Sequence, residues 1–143
     1  MLLDTNVISA MRNKKTIKKQ GKEFEAWLQQ TKIGDCFLSV VTIAELEVGV
    51  LSKERQDPKT GLILRKWLDA DVLPLFTGRI LNVDIPTAVQ TASLHVPNPK
   101  SYRDAFIAAT ALVHSQVVVT RNTKDFKDTG VELLNPWEFD PSH

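Results

Sequence analysis

The chain has 143 residues, of which 43% are hydrophobic and 24% charged, as expected for one compact globular domain. Its single cysteine, Cys36, excludes an internal disulfide, and no segment approaches the roughly 20 apolar residues that span a bilayer. We therefore predict a single domain over residues 1–143, without a signal peptide or membrane segment, in the reducing cytoplasm.

The net charge of +1 says little, but the positions of the basic residues are informative. Lysines at positions 14, 15, 18, 19 and 22 would share one broad face of a helix, because successive helical residues are about 100° apart. Such a face is either solvated or a contact for a phosphate backbone. The candidate phosphate contacts are Lys14, Lys15, Lys18 and Lys19.

Apolar runs and capping residues predict the elements of the first half of the chain. Phe24, Trp27 and Leu28 follow the spacing of one helix face, and Ser39 is a suitable N-cap for an apolar helix that we expect to be mostly buried. The predicted elements are a strand at 2–4, a helix at 5–11, a helix at 22–30, a strand at 36–39, a helix from 39 to about 51 and a helix at 58–69.

The second half continues the alternation of short apolar strands and helices. Asp84 and Ser101 precede helices, and two prolines make 96–99 a loop. The predicted elements are a strand at 79–83, a helix from 84 to about 95, a helix from 101 to 114, and strands at 117–120 and 131–134. This order predicts an α/β fold with three layers, in which helices cover both faces of a central, mostly parallel sheet.

Several acidic side chains lie where structure alone rarely requires them. Asp4 directly follows a buried strand, and the carboxyl ends of parallel strands are where α/β proteins bind ligands, although Asp4 could simply cap the next helix. Glu45 interrupts an apolar helix, where an unpaired acid is costly, and Glu47 is a competing candidate. Asp104 stands three residues after Ser101, which is also the spacing of a capping box.

Asn122 and Asp125 follow the strand that ends at Thr120, where they could also be ordinary turn residues. Together with Asp4 and Asp104 they would lie at one rim of the sheet, and the helix of Glu45 begins at that rim. Carboxylates clustered without a compensating base repel one another, and a hard cation such as Mg²⁺ relieves that repulsion. The chemistry that this arrangement suits is phosphodiester hydrolysis.

Other catalytic arrangements are missing from the sequence. His95, His114 and His143 are dispersed, which argues against a zinc site or a histidine-pair ribonuclease. Neither a glycine-rich phosphate loop nor a Gly-x-Ser-x-Gly motif is found. An aspartyl-phosphate enzyme is disfavoured because Asn6 stands where such phosphatases need a second acid.

Four segments in series resemble the motifs of PIN domains, specifically the VapC toxins of the FitB-like branch. The segments begin with Leu2-Leu3-Asp4-Thr5-Asn6, Ser39-Val40-Val41-Thr42, Tyr102-Arg103-Asp104-Ala105 and Val118-Val119-Thr120-Arg121. The closing Leu134-Asn135-Pro136-Trp137 is also similar to that branch. The match extends over nearly the whole chain, and in its second segment it selects Glu45 rather than Glu47.

This resemblance implies a three-layer PIN fold and an endoribonuclease that depends on Mg²⁺ or Mn²⁺. It implies Asp4, Glu45 and Asp104 as catalytic metal ligands, with Asn122 or Asp125 completing the site. It also implies a homodimer inhibited by a small antitoxin, and we place the dimer surface near Val48, Leu51 and Leu62. Attack by water would leave 5′-phosphate and 3′-hydroxyl ends. The alternative is a PIN-like module that binds RNA or a partner without cutting.

Overall fold

A computed structural model of the protein describes residues 1–142, and the last residue of the predicted domain, His143, lies outside them. The strands are β1 (Leu2–Leu3), β2 (Leu38–Ser39), β3 (Ile80–Leu81), β4 (Val118–Val119) and β5 (Leu133–Leu134). All of their pairings are parallel, in the sets β1-β4-β5 and β2-β3. A parallel bridge between Leu2 and Phe37 joins the two sets, so the strand order is β3-β2-β1-β4-β5.

The helices surround this sheet. They are α1 (Thr5–Ala10), α2 (Lys14–Lys19), α3 (Lys22–Gln30), α4 (Val40–Gln56), α5 (Pro58–Lys66), α6 (Leu73–Leu75), α7 (Ile85–Leu94) and α8 (Tyr102–Val113). A π-helical segment, Trp67–Val72, connects α5 to α6, and 3-10 helices cover Ile33–Asp35, Thr123–Phe126 and Pro136–Glu138.

The alternation of side chains along the strands separates two apolar cores. Leu3 and Val119 face a larger core that includes Trp27 of α3 and Val50 of α4. Leu2 and Val118 face the opposite core, which is built mainly on α8. Neighbouring strand residues point to opposite faces of a sheet, so the two cores lie on opposite faces and helices cover both. The predicted three-layer parallel architecture is confirmed.

The predicted caps are confirmed at Ser39, Asp84 and Ser101, whose side chains each accept a backbone N–H of the following helix. The predicted strands exist but contain only two residues each. Helix α4 extends past the predicted end to Gln56, with basic residues in its last turn that favour the helix C-terminus.

The expectation that α4 is mostly buried was wrong. Val48 and Leu51 are 62% and 53% exposed, because only the stripe that includes Leu46 and Val50 packs on the sheet. Within residues 1–142, no helix is long and apolar enough to cross a membrane.

Helices α4 and α5 approach so closely that their contact depends on a glycine. Gly61 of α5 is buried, and a Cβ atom added to it would lie 2.6 Å from the backbone nitrogen of Glu54 in α4. Real Cβ atoms do not come this close to backbone, so a side chain here would push the two helices apart.

We predict that Gly61→Ala lowers the free energy of unfolding by about 1–3 kcal/mol, the usual cost of overpacking. Gly49→Ala is the matched control, because Gly49 is also helical but has open space around its Cβ position. That variant should gain roughly 0.5–1 kcal/mol from higher helix propensity. Urea unfolding of both variants tests this, and equal effects at the two positions would contradict the proposed backbone contact.

Candidate active site

The strand order reverses direction between β1 and β4, and the candidate site lies just beyond the carboxyl ends of these two strands. Ligands of open α/β sheets bind in the crevice at such a switch point. Asp4 follows β1 and Thr120 follows β4, and both are fully buried. The fold therefore places the first sequence-predicted acid at the position where a ligand is expected.

Asp4 is both a helix cap and the centre of a polar network. Its carboxylate accepts the backbone N–H of Thr5 at 2.8 Å, which caps α1, and the hydroxyl of Thr120 at 2.8 Å. Asn6 donates to both Asp4 and Thr120 at 3.3 Å, while its own oxygen accepts the backbone N–H of Arg121. The cap proposed from the sequence is thus real, but it uses only part of the carboxylate's hydrogen-bonding capacity.

Glu45 lies on α4 and points to the same place, whereas Glu47 does not. Glu45 accepts the hydroxyl of Thr5 at 2.5 Å. Glu47 instead pairs with Arg65 at 2.7 Å, within a surface network that also includes Glu54. The structure therefore separates the two glutamates that the residue pattern alone left open.

Asp104 lies in the first turn of α8. One of its carboxylate oxygens accepts the hydroxyl of Ser101 at 2.7 Å, and its backbone N–H donates to that hydroxyl at 3.2 Å. The capping role is again present. Its other oxygen accepts a hydrogen bond from Arg103, at 3.0 Å.

The guanidinium of Arg103 joins the three predicted acids. It donates from Nε to Glu45 Oε2 at 2.9 Å, from Nη2 to Glu45 Oε1 at 3.0 Å, from Nη1 to Asp104 at 3.0 Å, and from Nη2 to Asp4 Oδ1. The expectation of clustered acids without a compensating base was therefore wrong. The acids do converge, but a cation of the chain itself lies among them.

The pKa values of the paired groups reflect this arrangement. Burial raises the pKa of Glu45, but hydrogen bonds from Arg103 and Thr5 outweigh burial and hold it below its ordinary value. Burial lowers the pKa of Arg103, but its hydrogen bonds to Glu45 and Asp4 outweigh burial and raise that pKa above its ordinary value. Both groups are therefore ionised at neutral pH.

The remaining predicted residues lie outside this cluster. Asn122 and Asp125 are exposed, and within residues 1–142 their side chains form no hydrogen bond or ion pair with the three acids. The backbone N–H of Asn122 does donate to Thr120 at 3.0 Å, so the segment lies next to the site. The four predicted lysines are exposed on α2, and their contact with RNA stays a prediction.

Arg103 is the charged residue of the cluster that sequence reasoning missed. It could have been noticed because a positive charge in the first turn of a helix is unfavourable with the helix dipole. An arginine there, next to an acid and at the start of a buried helix, indicates an anionic partner from another part of the chain.

The donor set of the cluster fits a hard divalent cation, since Asp4, Glu45 and Asp104 offer only oxygen atoms. As placed in residues 1–142, no three acidic, histidine or cysteine side chains already enclose a common ion position. The guanidinium of Arg103 lies where their oxygens converge. A cation that used all three acids would have to replace it.

A groove of about 250 Å³ opens beside Glu45. Its walls include the basic side chains of Arg12 and Lys53 and the apolar side chains of Leu64 and Trp67. Of the three acids, Glu45 is therefore accessible from a surface groove whose walls also include positive charge.

The fold and the site together define a three-layer parallel α/β domain with acids at the switch point of its sheet, where such sheets bind ligands. Residues 1–132 match the PIN domain family, and the chain belongs to this family. It is 39% identical to Toxin FitB of Neisseria gonorrhoeae, over 96% of this chain and 98% of FitB. It is 33% identical to VapC ribonuclease Y4jK of Sinorhizobium fredii, with the same coverage.

Solved structures agree with this assignment. The chain is similar to the crystal structure of FitAcB from Neisseria gonorrhoeae, with a TM-score of 0.83 and 38% identity over 96% of this chain and 99% of that one. The structure of FitAB bound to an IR36 DNA fragment gives a TM-score of 0.85 and 35% identity, over 99% of both chains. The family and fold predicted from the sequence are confirmed.

We predict that Thr120→Val lowers the free energy of unfolding by about 1–3 kcal/mol, because it removes the hydroxyl that donates to the buried carboxylate of Asp4 and accepts the side-chain amide of Asn6. Thr110→Val is the control: Thr110 is equally buried, but its hydroxyl bonds only to the backbone of its own helix, at Phe106. Its cost should be about 1 kcal/mol or less. Denaturant unfolding measures both, and a control as costly as Thr120→Val would show that Thr120 is only a packing residue.

Proposed function

We propose that the protein is a divalent-metal-dependent endoribonuclease that acts as the toxin of a toxin–antitoxin pair. The observation behind this proposal is the convergence of Asp4, Glu45 and Asp104, from three separate elements, at the switch point of the sheet. The names of its relatives, a VapC ribonuclease and Toxin FitB, support the substrate and the biological role.

The three acids would hold Mg²⁺ or Mn²⁺ as catalytic ligands. When bound, such an ion polarises a phosphoryl oxygen and lowers the pKa of a water molecule. Asn122 and Asp125 are proposed to complete the site from the adjoining segment after β4.

The neighbouring hydroxyl and amide groups orient the acids. Thr120 and Asn6 fix the carboxylate of Asp4, which is buried and cannot turn away. Thr5 fixes Glu45 and Ser101 fixes Asp104. Because each acid has a neutral donor that holds its geometry, an incoming metal ion would meet preorganised ligands rather than mobile ones.

A non-catalytic PIN-like module that binds RNA or a partner is the second candidate. The observation that favours it is Arg103, which already neutralises part of the acidic cluster. The two functions differ in whether phosphodiester bonds are broken, so RNA cleavage by the wild-type protein, compared with the acid variants described below, decides between them.

We also propose a small antitoxin as partner and a homodimer as the functional state. FitB has been solved in the complex FitAB, and a toxin–antitoxin complex from Klebsiella pneumoniae has a similar fold, with a TM-score of 0.63. The predicted dimer residues Val48, Leu51 and Leu62 are 62%, 53% and 55% exposed, so they are free to form an interface. The cytoplasmic location stays a prediction, supported by the free thiol of Cys36.

We predict that Asp4→Asn reduces RNA cleavage by orders of magnitude while the protein still folds. Asparagine retains the helix cap but removes the negative charge that a hard cation requires. Glu45→Gln should have the same effect. The measurement is cleavage of a mixed RNA panel with Mg²⁺, accompanied by thermal melts.

Glu47→Gln is the matched control, since Glu47 lies two residues from Glu45 on the same helix but pairs with Arg65 on the surface. It should cut at the wild-type rate. Asp4→Asn protein that cuts as fast as wild type would rule out the proposed mechanism, and a folded wild-type protein that cuts no RNA would favour the binding module.

We predict that the double variant Lys15→Glu/Lys19→Glu binds RNA more weakly and with a flatter salt dependence. For each phosphate contact that is lost, RNA binding releases about one counterion fewer. The control is Lys59→Glu/Lys66→Glu on α5, which changes the net charge equally at exposed positions. Binding is measured with Asp4→Asn protein at several salt concentrations. An equal loss in both double variants would assign the effect to net charge rather than to α2.

A further inference from the structure

Arg103 occupies the position where the proposed metal ligands converge. Its Nη2 is within hydrogen-bond distance of oxygens from both Asp4 and Glu45, and its Nη1 is 3.0 Å from Asp104. Oxygens that ligate Mg²⁺ lie only about 2.0–2.1 Å from the ion. An ion bound by these oxygens and a guanidinium bonded to the same oxygens would therefore compete for the same space.

Charge strengthens this competition. Three ion pairs link Arg103 to the acids, so the cluster has a net charge of −2 in place of the −3 of three free carboxylates. A divalent cation is attracted less strongly to the paired cluster, and it would meet a like charge within a few ångströms. Because the site is partly shielded from water, that repulsion is weakly screened.

Arg103, unlike Asp4, is able to leave the acidic cluster. Asp4 is fully buried and fixed by Thr120, whereas the side chain of Arg103 is 28% exposed. Every polar partner of the Arg103 side chain in residues 1–142 belongs to the acidic cluster or is Thr5. Nothing else there holds the guanidinium in place by a hydrogen bond, so only its bonds to the three acids and to Thr5 oppose a movement towards solvent.

We propose that Arg103 is a built-in competitor of the divalent cation: the guanidinium and the metal ion are alternative occupants of the site formed by Asp4, Glu45 and Asp104. This inference rests on the proposed metal-dependent function. Its consequence is that the chain weakens its own metal affinity, and that the metal concentration which activates the enzyme is set in part by the strength of the Arg103 ion pairs.

The test is isothermal titration of Mn²⁺ into the full chain as wild type, Arg103→Gln and Arg103→Lys. Arg103→Gln should bind Mn²⁺ roughly tenfold to a hundredfold more tightly, the range over which groups next to a metal tune its affinity. Arg103→Lys keeps the charge but cannot bond several carboxylates in one plane, so its affinity should be intermediate.

Arg65→Gln is the matched control, because Arg65 also bridges three acids, namely Glu47, Glu54 and Asp69, but on the surface of α4 and α5. It should leave Mn²⁺ affinity unchanged. A gain equal to that of Arg103→Gln would mean that removing any arginine from an acidic surface has this effect, and it would overturn the proposal.

A second measurement uses the wild-type protein alone and does not depend on the folding of a variant. The Arg103 Nε–Hε group, bonded to Glu45, should give a protected NMR signal without added metal. Saturating Mg²⁺ should shift that signal and make it exchange rapidly with water, while the signal of Arg65 stays unchanged. An Arg103 signal that remains protected at saturating Mg²⁺ would overturn the proposal.

The outcomes separate this inference from the proposed function. Tight Mn²⁺ binding by Arg103→Gln together with weak or absent binding by wild type supports the competition. Equal affinities in folded wild type and Arg103→Gln overturn the competition but leave the metal site intact. Absence of Mn²⁺ binding in both, at millimolar concentration, overturns the metal site and this inference with it.

Discussion

The ion pair between Asp4 and Arg103 is the interaction on which the organisation of the site depends. Asp4 is completely removed from solvent, and an ionised carboxylate in that position is tolerated only with strong hydrogen bonds and an opposite charge. Thr5, Asn6 and Thr120 supply neutral donors, and Arg103 supplies the charge. Because Asp4 also follows β1 and caps α1, the junction between the first strand and the first helix fixes the position of this carboxylate.

The same arginine joins parts of the chain that are far apart in sequence. Glu45 enters the site from α4 on one side of the switch point, and Asp104 enters from α8 on the other. Backbone hydrogen bonds of Phe37 with Met1 and Leu3 connect β1 to the segment that leads into β2, the strand that precedes α4. The contact of Arg103 with Glu45, like that of Thr5 with Glu45, adds a link between the two halves of the sheet that is formed by side chains instead of backbone.

The order and the type of the main elements could be predicted from sequence because the signals for them are local. A cap such as Ser39 or Ser101 and a buried run such as 117–120 can be recognised in the sequence without knowledge of distant residues. The ends of α4 and α5 were less predictable, since Arg65 stabilises both helices through Glu47 and Glu54, a contact between helices that neither helix sequence reveals.

Asp4 and Asp104 were predictable for the same local reason, because Asp4 follows a strand and Asp104 lies in the first turn of a helix, whereas the residue pattern alone left Glu45 and Glu47 as alternatives. The role of Arg103 was not predictable, since it neighbours Asp104 in sequence while its partners Asp4 and Glu45 lie 99 and 58 positions away. Residue patterns show which groups cluster at a rim, but they do not show which of two adjacent side chains turns inward. That choice depends on the packing of α8 against the sheet.

The brevity of the strands has a consequence for how this protein can associate with other chains. The edge strands β3 and β5 contain two residues each, so they expose very few unpaired backbone groups. Short edges are one of the ways in which natural sheets avoid extension by a neighbouring strand and the aggregation that follows. Recognition of this molecule by a second copy or by another protein must therefore rely on side chains of its helical layers, and those surfaces, not the sheet, are where specificity for a partner can evolve.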